Sequence, residues 1–217
     1  MSYFLRLLKR MGRISKRLFK TNNISKGNKQ SIDLDFFTSH GIAPPPEDIR
    51  LFGRPILRNF PDSSIRIGKN VTLTSDSETN PAGINHPVIL ATHSKDAEII
   101  IEDNVGISGA SINCVSKIII KEGTLIGANV NIWDTVFHPI ALKDRAKQTS
   151  ILEALTAPIT IGRNVWIVAN STILKGVTIG DNTVIGAMSL VNKDLPPNSL
   201  CAGVPAIKIK DLPPCSM

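Results

Sequence analysis

The C-terminal half of the chain repeats its hydrophobic positions every six residues. Large aliphatic side chains recur at one phase, at Ile161, Ile167, Ile173, Ile179, Ile185 and Val191. Two residues before each of these, the side chain is β-branched or small, at Ile159, Val165, Ser171, Val177, Thr183 and Ser189. The same phase recurs upstream, at Ile67 and Leu73, at Ile101 and Ile107, and at Ile120, Ile126 and Ile132. An α-helix has 3.6 residues per turn, so it cannot keep every sixth residue on one face.

Short strands joined by tight corners satisfy this period. The corners carry Gly, Asn and Asp, as in residues 162–164 and 180–182, and these residue types tolerate a left-handed backbone. Three six-residue segments then close one triangular coil of about 18 residues, and successive coils stack as parallel strands about 4.8 Å apart. The sequence therefore predicts a mainly β fold, a parallel β-helix filled by an aliphatic column.

Composition agrees with such a core and limits the chemistry. Apolar residues make up 42% of the 217 residues and aromatic residues 5%, which excludes disordered and collagen-like chains and suits a narrow prism. The three cysteines, Cys114, Cys201 and Cys215, lie far apart without metal-ligand spacing. We therefore predict neither a disulfide framework nor a metal site, and we expect a reducing compartment.

The net charge of +7 is concentrated at the N-terminus. Nine of the 25 Lys and Arg residues precede the first acid, Asp33, which leaves 16 bases against 18 acids for the remaining chain. Because that remainder is nearly neutral, no nucleic-acid-binding domain is expected. Seven of the bases lie within residues 1–20. Between these bases, apolar residues recur with the period of a helix and form one stripe, namely Phe4, Leu7, Leu8, Met11, Ile14 and Leu18. This pattern predicts a short amphipathic helix with a basic face.

Two interpretations of this basic arm remain open. In one, the stripe packs on the body of the protein or on a neighbouring subunit. In the other, the helix rests on anionic lipid, where each base near the surface contributes about 1 kcal/mol. The apolar run is too short to span a bilayer. The expected location is therefore the cytoplasm, with peripheral contact at the inner face of the membrane under the second interpretation.

The period breaks between Ile132 and Ile161, and this break predicts the functional site. An insertion that leaves a solenoid forms a protruding loop, which we place at residues 138–158, and such loops commonly build binding sites. His138 stands at its mouth, where Pro139 restricts its backbone to extended conformations. A lone histidine is more often a surface or core residue, so its position at the break is what favours a catalytic role.

These segments resemble a known family. Residues 129–140 (NVNIWDTVFHPI), 157–197 and 202–209 (AGVPAIKI) are similar to the hexapeptide-repeat acyltransferases, in particular to galactoside, maltose and colanic-acid-type O-acetyltransferases. The resemblance covers about residues 60–212. It implies a left-handed coil, acetyl-CoA as the co-substrate, and a homotrimer whose active sites lie between subunits.

The resemblance assigns roles around the break. His138, in FHPI, matches the catalytic histidine. Asp134 either orients its imidazole or is a turn residue, and Asn131 either contacts the acceptor or is a corner residue. Relatives often have the sequence DTDFHP at this place. This chain has Val136 at the position of the second aspartate, so any role of that carboxylate is absent here.

Further residues are candidates for binding the two substrates. For the acceptor they are Arg145 in the insertion, and Asn85 and His86 in the irregular stretch 80–87. For the coenzyme they are Trp166, Ala169, Ala187, Ser189 and Lys193. In the family an arginine stands two residues after the AGVP segment, and this chain has Ile207 at that position. Lys208 and Lys210 are candidates to replace the arginine, although an ammonium group cannot make its bidentate hydrogen bonds.

The expected activity is transfer of an acetyl group from acetyl-CoA to a sugar hydroxyl, in surface polysaccharide biosynthesis. A neutral imidazole accepts the hydroxyl proton near pH 7, so His138 acts as general base and no covalent acyl-enzyme forms. The alternatives are an acetyltransferase of free sugars or small hydroxylated compounds, and a non-catalytic β-helix scaffold. The expected organisation is a basic arm (1–29), a linker or N-terminal cap (30–64), the left-handed β-helix (65–195) and a C-terminal tail (196–217).

Overall fold

The computed structural model describes residues 34–46, 48–147 and 151–213. The described residues belong to one compact unit, Ile32–Met217. The predicted basic arm at residues 1–29, with its amphipathic helix, and Cys215 lie outside the described residues. Within the three described ranges, no helix has the length and apolar character needed to cross a membrane.

Short strands dominate the described residues. They are β1 (Arg50–Phe52), β2 (Ile56–Arg58), β3 (Ser64–Ile67), β4 (Thr72–Thr74), β5 (Ile89–Thr92), β6 (Glu98–Ile101), β7 (Gly106–Ser108), β8 (Ser111–Cys114), β9 (Lys117–Ile120), β10 (Leu125–Ile126), β11 (Asn131–Trp133), β12 (Ile159–Ile161), β13 (Trp166–Ile167), β14 (Thr172–Leu174), β15 (Thr178–Ile179), β16 (Val184–Ile185), β17 (Leu190–Val191), β18 (Ser199–Gly203) and β19 (Ala206–Asp211). Two short α-helices, α1 (Leu34–Ser39) and α2 (Leu142–Arg145), and two 3-10 turns, Ser77–Thr79 and Ile151–Glu153, complete the described elements.

The strands form three sheets that the chain visits in turn. Sheet 1 has the order β1-β4-β7-β10-β13-β16-β18-β19, sheet 2 the order β2-β5-β8-β11-β14-β17, and sheet 3 the order β3-β6-β9-β12-β15. From β1 to β17 every third strand is therefore a parallel neighbour, which is the pairing of a coil wound as a triangular prism. The predicted mainly β fold, a left-handed parallel β-helix, is confirmed.

The six-residue period corresponds to ladders of identical side chains inside the prism. Ile126, Ile167 and Ile185 pair directly along sheet 1. The six phase-locked positions between residues 161 and 191 are each at most 1% exposed. Because strands in register stack equivalent positions above one another, each coil buries its aliphatic side chains against the next. Each such burial contributes about 1.5–3 kcal/mol.

The corners carry the residues that the tight turns require. Asn164 and Asn182 occupy equivalent corners of neighbouring coils with φ of 52° and 58°, a region that asparagine tolerates better than most residues. Side-chain hydrogen bonds also link successive corners, because Nδ2 of Asn182 donates to Oδ1 of Asn198 at 3.0 Å. Gly162 allows close approach, because a Cβ there would lie 2.7 Å from the backbone nitrogen of Asp181. Short polar residues and glycine therefore let the coils stack closely.

Two different elements close the ends of the prism. At the N-terminal end, Phe37 of α1, Ile42 and Ile49 are buried in the same hydrophobic core as the coils. At the C-terminal end, β19 turns back and pairs antiparallel with β18 at the edge of sheet 1. The coiled region is therefore longer than the predicted span of 65–195. It begins at Arg50, because the pair Leu51 and Leu57 keeps the six-residue spacing but is too short a run to identify as a repeat.

Candidate active site

Two insertions interrupt the coils on either side of sheet 2. Residues 75–88 connect β4 to β5, where the chain passes from sheet 1 to sheet 2, and residues 134–158 connect β11 to β12, where it passes from sheet 2 to sheet 3. The second insertion contains the predicted loop and His138. Both insertions leave the prism at corners, so the stacked strands fix the points where each loop begins and ends.

The base of the second insertion is closed by a short antiparallel stem. Thr135 and Thr156 form a bridge, and the amide of Val136 donates to the carbonyl oxygen of Leu155 at 3.2 Å. The hydroxyl of Thr156 also donates to the carbonyl oxygen of Asp134 at 2.7 Å. The residues immediately before His138 are therefore anchored to the far end of the insertion, and α2 lies within it.

A tight turn presents His138. Its amide donates to the carbonyl oxygen of Val136 at 2.7 Å, and the intervening Phe137 has φ of 61°. This combination is a γ-turn in its rarer form, which is strained for a residue with a side chain. Pro139 is buried directly after it, whereas His138 is exposed. Among the described residues, no hydrogen bond or ion pair involves the imidazole of His138.

The ring of Phe137 is held by two other rings. It packs edge-on against Trp133 with centroids 5.5 Å apart, and edge-on to His93 at 6.4 Å. Nε2 of His93 in turn lies 2.8 Å from Oδ1 of Asn113, whose amide donates to the hydroxyl of Ser111 at 2.9 Å. Asn113 is the neighbour of Trp133 in the β8–β11 pairing, so His93, Asn113 and Trp133 span three successive coils under the Phe137 ring.

Asp134 points into the prism. It is fully buried, and its carboxylate accepts the backbone N–H groups of Val115, Ser116 and Lys117 at 2.7, 2.7 and 3.0 Å. The thiol of Cys114 lies 3.4 Å from the same carboxylate. These contacts favour the interpretation of Asp134 as a structural turn residue. Its carboxylate ties the corner of one coil to the next and makes none of its described contacts with His138.

Cys114 is an inert thiol in this setting. Burial raises the pKa of the Cys114 thiol strongly, and the adjacent Asp134 charge raises it further, because a thiolate there would be desolvated and repelled. The buried Cys201 is likewise free of a disulfide. Neither group has the exposed, electropositive surroundings of a nucleophilic cysteine.

The predicted acceptor residues lie on the first insertion and on sheet 2. Asn85 is exposed, and its backbone amide donates to Oδ1 of Asn129. Nδ2 of Asn129 donates to the carbonyl oxygen of Gly83, so this insertion is fastened to the corner before β11. His86 is half-buried, with Nδ1 2.8 Å from the carbonyl oxygen of Pro87. Asn131 is half-buried in β11, next to Ser111 in the pairing with β8. The two insertions thus both reach the corners around β11.

Arg145 is exposed at the end of α2 and bonds within its own loop. Its guanidinium donates to the carbonyl oxygen of Ile140 at 3.1 Å. Five large apolar side chains of the same insertion are exposed, namely Val136, Ile140, Leu142, Leu152 and Leu155. The described part of the insertion therefore exposes apolar side chains beside charged ones such as Lys143 and Glu153, with Arg145 bent back onto the loop.

The predicted coenzyme contacts differ in accessibility. Trp166 and Ala169 are half-buried and Ala187 is exposed. Ser189 is buried instead, and its hydroxyl donates to the carbonyl oxygen of Gly186 at 2.7 Å. The expected coenzyme contact therefore does not fit the Ser189 side chain, which lies inside the coil because it occupies the small, inward phase of the repeat.

The three predicted cations are exposed at the C-terminal end. Lys193 follows β17, whereas Lys208 and Lys210 lie on β19. The ammonium group of Lys208 is 2.6 Å from a carboxylate oxygen of Asp211, so its charge is partly neutralised. Within the described ranges, no group of three or more His, Cys, Asp and Glu residues is arranged to hold a metal ion.

Comparison with known proteins matches part of the chain to a hexapeptide-repeat family. A family model described as "Bacterial transferase hexapeptide (six repeats)" matches residues 158–193. The chain is 46% identical over 93 residues to galactoside O-acetyltransferase of Escherichia coli (strain K12), a match that covers 43% of each chain. Over these matched segments the chain is similar to the hexapeptide-repeat transferases, and the predicted resemblance to them is confirmed.

Two further hexapeptide-repeat proteins extend the comparison. The putative colanic acid biosynthesis acetyltransferase WcaF of the same strain is 40% identical over 86 residues, which are 40% of this chain and 46% of that relative. The crystal structure of a maltose O-acetyltransferase from Clostridium difficile 630 shares the fold, with a TM-score of 0.51 and 24% identity, over 98% of this chain and 90% of that one. The chain spans about half the length of the curated relatives it matches.

Sequence analysis assigned no role to Phe137, Trp133 or His93. The FHPI segment identifies His138 as the residue to examine, but the left-handed backbone at Phe137 has no sequence signal, because phenylalanine rarely adopts it. His93 is separated from Trp133 by two coils. Aligning β5, β8 and β11 places Asn113 beside Trp133, but His93 and Phe137 lie beyond the ends of β5 and β11, so the alignment does not reveal their contact.

Proposed function

We propose that this hexapeptide-repeat protein transfers an acetyl group from acetyl-CoA to a sugar hydroxyl, with His138 as general base. The observation that carries the proposal is the geometry of His138, an exposed imidazole on a fixed turn at the base of the insertion, with no hydrogen-bond partner among the described residues. The names of the galactoside and colanic acid relatives support acetyl transfer and a sugar acceptor.

The proposed reaction is a direct transfer. A sugar hydroxyl is a poor nucleophile while protonated, so neutral His138 accepts its proton through Nε2 as the oxygen attacks the thioester carbonyl. The new C–O bond forms and the C–S bond breaks, and the imidazolium then returns the proton to the departing thiolate of CoA. No acyl-enzyme is needed. The buried Cys114 and Cys201 support this route, because neither thiol is available as a nucleophile.

Coenzyme binding is proposed along the C-terminal coils and across a subunit boundary. Half-buried Trp166 and Ala169 and exposed Ala187 would contact the pantetheine arm, and Lys193, Lys208 and Lys210 would meet the phosphates as point charges. Exposed apolar side chains near the same end support a homotrimer with active sites between subunits, namely Met188, Val204 and Ile207, at 71%, 72% and 65% exposure.

A surface polysaccharide, or its lipid-linked precursor, is the proposed acceptor, and the cytoplasmic face of the membrane is the proposed location. Support comes from the name of the colanic acid relative and from the seven bases of residues 1–20. The membrane part is tested by pelleting the full chain and a Δ1–29 variant with anionic liposomes. Loss of pelleting by Δ1–29 alone supports it, and equal pelleting of the two proteins contradicts it.

The activity is tested by release of free thiol from acetyl-CoA with a panel of sugars, oligosaccharides and small hydroxylated compounds. His138→Ala is expected to lower kcat at least 100-fold, within the range of a lost general base, with little change in the KM for acetyl-CoA. His40→Ala is the matched control, because His40 lies after α1 at the far end of the prism. Full activity of His138→Ala would contradict the base assignment. No transfer to any acceptor by the wild type would favour the scaffold alternative.

A further inference from the structure

We infer that Phe137 and His93 are positioning residues that fix the direction of the His138 side chain. The inference rests on the proposed role of His138 as general base. It starts from the γ-turn, in which the amide of His138 donates to Val136 while Phe137 holds φ of 61°. A residue with a Cβ leaves this conformation for negative φ unless its surroundings hold it there.

The surroundings of Phe137 hold it from two directions. Its backbone amide lies 3.2 Å from the hydroxyl of Thr135, which belongs to the stem of the insertion. Its ring lies edge-on against Trp133 and His93, as aromatic pairs prefer. Rotation of the Phe137 backbone to negative φ would swing this ring away from both partners. The ring therefore anchors the turn to the rigid strands of sheet 2.

His93 is itself fixed by the coils beneath it. Oδ1 of Asn113 can only accept, so Nε2 of His93 is the donor in their 2.8 Å contact, while the amide of Asn113 donates to Ser111. This arrangement defines the ring orientation and tautomer of His93. The direction of His138 is thus set by a chain of contacts that runs from Ser111 through Asn113 and His93 to the ring of Phe137.

On the C-terminal side of His138, buried Pro139 restricts the backbone conformation of His138. The residue before a proline is restricted to extended backbone, and the proline ring removes one further degree of freedom. With Phe137 fixed before it and Pro139 fixed after it, the Cα–Cβ direction of His138 is defined, and only its side-chain torsions remain free. Such a fixed base aligns its nitrogen with the attacking hydroxyl without reorganisation during the reaction.

The test separates the ring of Phe137 from its backbone conformation. Phe137→Ala is expected to lower kcat about tenfold, equivalent to about 1.4 kcal/mol, with the KM for acetyl-CoA unchanged. Phe137→Gly adopts positive φ freely but has no anchor, so it is expected to lose activity as Phe137→Ala does. Phe137→Tyr keeps the ring and is expected to retain kcat within about twofold. Phe52→Ala, in the first coil, is the matched control.

The second position tests the support of the ring. His93→Ala is expected to lower kcat about threefold, and His93→Phe, which keeps an edge-on ring but loses the Asn113 bond, is expected to recover part of the loss. Wild-type kcat in both Phe137→Ala and His93→Ala would overturn the inference. Full activity of Phe137→Gly would show that positive φ suffices, and would overturn the anchoring role of the ring.

A structural measurement tests the inference even if the proposed base is wrong. Crystal structures of wild type, Phe137→Ala and Phe137→Tyr report φ at residue 137 and the direction of the His138 side chain. A changed turn and a displaced imidazole in Phe137→Ala alone would support the inference. The wild-type turn and imidazole direction in Phe137→Ala would overturn it. Full activity of His138→Ala would overturn the proposed base and leave this comparison valid.

Discussion

Replacing Asp134 should destabilise the fold more than replacing any exposed aspartate of the corners. The buried carboxylate accepts three backbone N–H groups from residues 115–117, and Asp134→Ala removes all three hydrogen bonds at once. An unsatisfied buried donor costs about 1–3 kcal/mol, so we expect a total loss of about 3–5 kcal/mol, because the corner beside half-buried Lys117 can admit some water.

Asp134→Asn gives a graded version of the same test. Its amide oxygen can keep the bonds to Ser116 and Lys117, which share one carboxylate oxygen, but its NH₂ group then faces the amide of Val115. We therefore expect a loss of about 1–3 kcal/mol, corresponding to one unsatisfied donor. Asp103→Ala is the control, because exposed Asp103 accepts a single backbone N–H, from Lys69, and should cost about 1 kcal/mol.

The measurement is urea-induced unfolding followed by circular dichroism and by tryptophan fluorescence. Protein concentration is kept constant, because subunit association would contribute to the apparent free energy of unfolding. An Asp134→Ala variant no less stable than Asp103→Ala would refute the reasoning. If Asp134 instead orients His138, then Asp134→Asn should lower kcat without lowering the free energy of unfolding.

Three further predictions follow from the same contacts. Ile173→Ala should lower the free energy of unfolding by about 2–5 kcal/mol through the cavity it leaves, whereas exposed Leu142→Ala should change it by less than about 0.5 kcal/mol, as measured by urea titration. The hydrogen bond from Lys117 lowers the pKa of Glu98, so ionised Glu98 stabilises the fold at pH values above its ordinary pKa. This stabilisation is lost as the pH falls through the lowered pKa. Below pH 4.5, the Tm of the wild type should therefore fall more steeply with pH than the Tm of Glu98→Gln. Because burial raises the pKa of Cys114, iodoacetamide at pH 8 should label this thiol in urea but not in the native protein, as read by mass spectrometry.

The sequence predicts the coil well because the pattern that produces each turn of the coil is short and repeats along the chain. Each inward position, such as Ile167 or Ile173, reports the same environment, so the period reveals the three sheets without long-range information. The start of the prism was placed too late, at residue 65. Before β3 the repeat has two members, Leu51 and Leu57, and the next inward side chain, Ile65, does not follow after six residues.

The site was less predictable, because it depends on contacts between coils. The sequence identified His138 and the insertion, but it left Asp134 between two roles that only the direction of its side chain can separate. Ser189 belongs to the β-branched or small positions two residues before the aliphatic phase, and the structure shows that its side chain is buried. The contact of Phe137 with His93 joins residues distant in sequence, and no periodicity reports it.

The closed ends of the prism determine how the number of coils can change in evolution. A stack of equivalent coils has no intrinsic length, so its length is set by α1 at one end and β19 at the other. Without such terminators, open strand edges could recruit another molecule end to end and grow into fibres. With both terminators kept, whole coils can be gained or lost between them during evolution while the loop that carries His138 stays on an unaltered base.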